Sequence, residues 1–101
     1  MDRRLELQAL LEELLGSGNV YFQPPESFKL VYPCIVYKKE TFNVWRANNG
    51  VYKAHQPYQV TLIYHDPDYE LPKTIAELPY CRHDRNFVAN NLYHDVFTLY
   101  Y

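Results

Sequence analysis

The chain has 101 residues, 17% of them aromatic, with ten basic against twelve acidic side chains and a net charge of −2 with histidine neutral. This length suits one domain over residues 1–101, and a chain so short buries a modest share of its surface, a deficit that oligomerisation repairs. The acidic excess and the lack of any Lys/Arg run beyond two residues argue against specific nucleic-acid binding, and no stretch nears the roughly 18 to 20 apolar residues of a membrane span.

Residues 2 to 15 are predicted to form a helix: Leu7, Leu10, Leu11 and Leu14 recur at i, i+3, i+4, i+7 and make one apolar stripe. Asp2 is placed to cap its start, and Gly16 follows the last leucine where a left-handed residue is expected. The charged start Met1-Asp2-Arg3-Arg4 has no uninterrupted apolar run behind it, so it does not read as a signal peptide. Gly16 to Asn19 reads as a turn and Val20 to Gln23 as a short β-like piece ended by Pro24-Pro25.

Phe28 to Tyr37 is rich in β-branched and aromatic residues, and Pro33 within it predicts an edge strand or a bulge. Ile35 and Tyr37 then face one side, Cys34 and Val36 the other. Thr41, Phe42, Val44 and Trp45 can prolong that strand, Asn48-Asn49-Gly50 supplies turn residues, and Val51-Tyr52 resumes an extended pattern. In the following run Tyr58, Val60, Leu62 and Tyr64 alternate with Gln59 and Thr61. Residues 34 to 64 therefore read as one long, projecting β-hairpin whose tip carries Trp45, Arg46 and Tyr52. An apolar tip extending past the core calls for a covering partner.

His65-Asp66-Pro67-Asp68 breaks the strand; Pro72 opens a short helix through Leu78, and Pro79 closes it. Residues 80 to 88 and 93 to 100 form a final hairpin turned by Asn90-Asn91, with Phe97, Leu99 and Tyr101 on one face. The expected order is α-β-β-α-β-β, an α+β domain with a small, mainly antiparallel sheet. The short echo of Tyr64-His65-Asp66 in Tyr93-His94-Asp95 reads as chance.

The chemistry-bearing residues read more simply as scaffold than as a site. Cys81 and His83, with His94-Asp95 nearby, contain the residue types of a Cys-His-Asp nucleophile set, but no glycine supplies an oxyanion turn. Cys34, Cys81, His83 and His94 lack the close ligand pairs of a structural zinc site, and the two cysteines are expected as reduced thiols. Asp66-Pro67-Asp68 reads as a helix-preceding turn in preference to a cation site. Gly16, Gly18 and Gly50 make no phosphate loop. No catalytic, metal or cofactor-binding residue is assigned, no cofactor is expected, and the chain reads as a non-enzyme. Eleven tyrosines, and Trp45-Arg46 at the predicted tip, suit a protein interface, because Trp, Tyr and Arg combine apolar area with polar tips. The expected contact residues are Trp45, Arg46, Tyr52, Tyr100 and Tyr101.

The opening helix, the strand Tyr32 to Tyr37 and the strand Tyr58 to Tyr64 ending in His65-Asp66-Pro67-Asp68 resemble small neck and tail proteins of phage and prophage morphogenesis clusters. The closing stretch Asp84 to Tyr100 resembles chains described as phage minor structural or tail completion proteins. The resemblance, to the tail terminator family, spans nearly the whole chain. It implies a small α+β fold with a projecting hairpin and a homo-oligomeric ring, usually a hexamer, seated on the head-proximal end of a tail. The implied partners are further copies of the chain, the tail tube protein and the head-closure or connector protein. The implied location is the virion neck, after assembly in the bacterial cytoplasm. A head-closure or other head–tail joining protein is the alternative within that class, and a small host nucleic-acid-binding or regulatory module the alternative outside it.

Overall fold

A computed structural model describes residues 3–40 and 56–101. They form an α+β domain built on one five-stranded mixed sheet, with an N-terminal helix and a short second helix. In chain order the elements are α1 (Arg3–Leu15), β1 (Val20–Phe22), β2 (Cys34–Lys39), β3 (Pro57–Tyr64), α2 (Leu71–Ala76), β4 (Cys81–Ala89) and β5 (Leu92–Tyr100). The strands lie in the order β1-β2-β3-β5-β4. Every neighbouring pair is antiparallel except β1 with β2, which is parallel.

The leucine stripe of α1 does what its spacing predicts. Leu7 and Leu11 are fully buried, and Leu10, Leu14 and Leu15 pack against the same core. The helix is also fastened to the sheet by polar groups: the Tyr37 hydroxyl donates to Gln8 Oε1, and Arg4 Nη1 donates to that hydroxyl at 3.3 Å. Gly16 ends the helix at φ +80, with its N–H donating to Glu12 O at 2.9 Å, the left-handed geometry that glycine adopts without steric cost. Asp2, expected as the cap at the other end, lies outside the described residues.

Alternation sorts the strands into two faces. Ile35, Tyr37, Tyr58, Val60, Leu62, Tyr64, Phe97 and Leu99 join Leu7, Leu11, Leu71 and Ile75 in the main core beneath the helices. Cys34, Ile63 and Leu92 form a smaller cluster on the opposite face, covered by Tyr21, Leu30, Tyr32 and Val36. The Asn90-Asn91 turn has both residues at positive φ, 53° and 64°, as a two-residue hairpin turn requires.

Three expectations change. The stretch 28–33 is irregular, and strand pairing begins only at Cys34. Pro33 precedes the strand behind a cis Tyr32–Pro33 peptide, so β2 needs no edge position and sits between β1 and β3. The piece at Val20 is a true strand, because pairing parallel to β2 supplies the ladder bonds that three residues cannot supply alone; the element order is accordingly α-β-β-β-α-β-β. The base of the expected 34–64 hairpin is present, with Cys34↔Ile63 through Lys39↔Tyr58 in register. Its predicted extension and tip, residues 41–55 with Trp45, Arg46 and Tyr52, lie outside the described residues.

This packing predicts that Leu11→Ala, at a site with no solvent exposure, destabilises the fold by about 2–5 kcal/mol. Leu5→Ala, at a position 61% exposed, should change stability by under about 0.5 kcal/mol. Urea unfolding of the two variants checks the contrast.

Candidate functional site

The polar residues that could carry chemistry gather where β5 meets β3 and β4. Asp95 is 4% exposed, a buried carboxylate on the helix-covered face of β5. A carboxylate there persists only if its oxygens are bonded. Asp95 Oδ2 accepts from the Tyr64 hydroxyl at 2.6 Å, and Oδ1 accepts from Asn86 Nδ2 at 2.8 Å and faces His83 Nε2 at 2.9 Å. Burial by itself would raise the Asp95 pKa. The hydrogen bonds from Tyr64, His83 and Asn86, with the electrostatic attraction of His83, outweigh it and hold the carboxyl below its ordinary value. Tyr64 is pushed far in the other direction, first by burial and then by its bond to Asp95.

Local geometry explains the convergence. A bulge between His83 and Arg85 inserts one extra residue into β4. Without it, two residues three apart in sequence would face opposite sides of the sheet; with it, His83 and Asn86 both reach Asp95. On the other face, Thr98 Oγ1 donates to Asp84 Oδ2, Arg82 Nε donates to Asp84 Oδ1 at 2.7 Å, and Phe87 stacks on His94 at 4.6 Å.

The Cys, His and Asp residue types of a nucleophile set are thereby divided. Asp95 is paired with His83, while His94 points its Nδ1 toward Leu92 O at 3.1 Å and stacks on Phe87. Cys81 packs against the main core, where burial and then the nearby Asp84 charge push its thiol up to about 11. It is thus held as a thiol at neutral pH, the less nucleophilic form. Cys34 is buried on the opposite face, in the small cluster with Ile63, and also pushed up to about 11 by burial. Among the described residues, no group of three or more His, Cys, Asp and Glu is arranged to hold a metal ion. Asp66 makes a turn instead: its Oδ1 accepts from Asp68 N at 2.9 Å and its O from Tyr69 N at 3.1 Å.

Of the expected contact residues, Tyr100 is buried and Tyr101 half-buried. Arg3 lies 4.9 Å over the Tyr101 ring and donates to Tyr101 O at 3.2 Å, which ties the chain end to α1. A groove of about 170 Å³ opens beside them, lined by Arg3, Leu10, Leu78, Tyr80 and Leu99 among others. Trp45, Arg46 and Tyr52 lie outside the described residues, but both ends of their segment are tied together: Glu40 N donates to Pro57 O, and Gln56 Nε2 donates to Glu40 O, each at 2.9 Å.

The surface that residue patterning did not find is β4 itself. Residues 82 to 88 are all exposed along the sheet edge. Phe87 is 39% and Val88 60% exposed. Their neighbours Arg82, His83, Asp84, Arg85 and Asn86 read as an ordinary polar strand in the sequence, and only the strand order reveals that nothing described lies beyond them.

The Asp95 cluster yields a pH prediction. A carboxyl whose native pKa lies below its unfolded value of about 3.9 contributes stability that is complete above that value and lost as pH falls through the native one. Tyr64→Phe removes a donor to the charged form, so it should raise the Asp95 pKa, cost about 1.5–3 kcal/mol at neutral pH and move acid unfolding to higher pH. Carboxyl NMR titration and acid denaturation check both effects.

Comparison with known proteins found no matching family model, no matching curated protein and no matching solved structure.

Proposed function

We propose that the chain is a structural subunit of a tailed-phage particle: a tail terminator, or tail completion, protein whose ring caps the tail tube and joins it to the head. The carrying observation is the pairing of β2 with β3 up to Glu40 and Pro57. It brings together both ends of the fifteen-residue segment 41–55, which contains Trp45, Arg46 and Tyr52. The described residues on either side of that segment, Glu40 and Pro57, lie at the ends of two paired inner strands, a fixed starting point of the kind a repeating assembly needs. The tyrosine-rich composition and the small α+β fold agree with the resemblance to neck and tail proteins.

Assembly of this kind is geometric. One heterologous contact, repeated by rotation, closes into a ring, and a closed ring gives the polymerising tube a finite end. The reading needs no nucleophile, and the bonding of the described groups supports it: Asp95 accepts from Tyr64, His83 and Asn86, and Cys81 packs against the core.

The test is assembly. Solution mass with and without the tail tube protein should show a ring, of six subunits on this proposal, and Trp45→Ala should weaken it while circular dichroism stays unchanged. Particles made without the protein should carry overlong tails and intact heads. Leaking heads would assign the chain to head closure instead, and a chain that binds DNA with steep salt dependence would overturn the structural reading.

A further inference from the structure

The two edges of the sheet are finished differently. At β1, Asn19 O accepts from Ile35 N and Gln23 N donates to Tyr37 O, each at 2.9 Å. Odd-numbered residues therefore bond β2, and the backbone of Val20 points outward. Both of its outward groups are taken within the chain: Val20 N donates to Gly18 O at 2.8 Å, and Val20 O accepts from Gln8 Nε2 at 3.0 Å. The edge is thus capped at its start, and at three residues it is too short to template a long added strand.

The edge at β4 is not finished so. In an antiparallel ladder alternate residues exchange bonds with the partner and the others point away. The Asn90-Asn91 turn closes on Ala89↔Leu92, and at the far end Tyr100 N donates to Tyr80 O at 3.0 Å. Counted from the turn, Arg85 and Phe87 bond β5 while Asn86 and Val88 point their backbone outward. Counted from Tyr80, Arg82 bonds β5 while Cys81 and His83 point outward. The bulge between His83 and Arg85 is what lets both counts hold in one strand.

We infer that β4 is a self-association surface, pairing antiparallel with β4 of a second copy about a two-fold axis between Asp84 and Arg85. In that register Cys81 faces Val88 of the second copy, Arg82 faces Phe87, His83 faces Asn86, and Asp84 faces Arg85. Cys81, Val88, His83 and Asn86 then join outward-pointing backbone to outward-pointing backbone. The side chains also match by face. His83 and Asn86 both reach Asp95, whereas Arg82 reaches Thr98 and Phe87 stacks on His94 on the opposite side.

Charge selects this register. Two-fold symmetry sets a carboxylate against a guanidinium twice and a guanidinium against an aromatic ring twice. It also covers Phe87 and Val88, the two exposed large apolar residues of β4. Centring the pair on Phe87 instead keeps only a short overlap near the turn and opposes no counter-charges. A strand edge alone buries less than a standard interface, so the dimer is weak and concentration-dependent. The contact is isologous, whereas a ring closes through heterologous contacts. It therefore differs in kind from the ring contact, whose expected residues are not on β4, and it stands independently of that reading.

Sedimentation equilibrium from micromolar to millimolar chain tests it. The natural sequence should show a reversible monomer–dimer equilibrium. Arg85→Asp and Asp84→Arg should each raise the dissociation constant at least about tenfold, and an equimolar mixture of the two variants should recover dimer, because each then meets its counter-charge. Asp84 also bonds Arg82 and Thr98. Val88→Pro is therefore the second probe: it removes an outward N–H without a β5 bond and should be folded and monomeric. A chain that stays monomeric to millimolar concentration overturns the inference, as does a dimer indifferent to Arg85→Asp and Val88→Pro, or a variant mixture that fails to pair. Trp45→Ala should leave this dimer intact, which separates its failure from failure of the ring.

Discussion

The sheet is wider than the helices that cover it, and most other features follow from that constraint. Two helices, Arg3–Leu15 and Leu71–Ala76, bury one face from β1 across to β5. Their cover reaches Cys81 at the start of β4 and goes no further along that strand. At the margin of the cover lies Asp95, too buried to be left to water and therefore bonded by Tyr64, Asn86 and His83. Beyond it the rest of β4 is exposed. The polar cluster thus occupies the seam between packed core and open edge, and joins β3, β5 and β4 across it.

That location favours a scaffold role for groups that elsewhere perform chemistry. An Asp–His pair with a nearby thiol is a familiar catalytic set of types, yet here the thiol is held protonated by burial and the carboxylate serves three donors. The same bulge that turns His83 and Asn86 toward Asp95 also sets the backbone pattern of the outer edge. Internal satisfaction and external pairing are consequences of one extra residue.

Much of the fold was legible from local pattern. The leucine spacing over 7 to 14, the alternation from Tyr58 to Tyr64, Pro72 at a helix start and Asn90-Asn91 at a hairpin turn all found their elements. What was not legible depends on partners remote in sequence. Val20–Phe22 is too short to announce itself, and becomes a strand only against Ile35 to Tyr37. Pro33 suggested an edge because sequence gives no view of where the ladder starts. Asp95 looked like one half of a weak echo with Asp66. In the structure Tyr64 and Tyr93 do stack as cross-strand partners, 5.4 Å apart, but Asp66 makes an exposed turn while Asp95 is buried. Nor does composition separate an edge strand from an inner one when its residues are Arg82 to Asn86; strand order decides that.

We propose that copies of this protein associate through the β4 edge, which the other described residues leave uncovered. Backbone amide exchange measured in dilute and concentrated solution tests it most directly, since it reads the edge residue by residue. The account predicts that the outward amides of His83, Asn86 and Val88 exchange freely when dilute and become protected as concentration rises, while Arg85 and Phe87 are protected throughout. An exchange pattern identical at both concentrations, with those outward amides always fast, would contradict it.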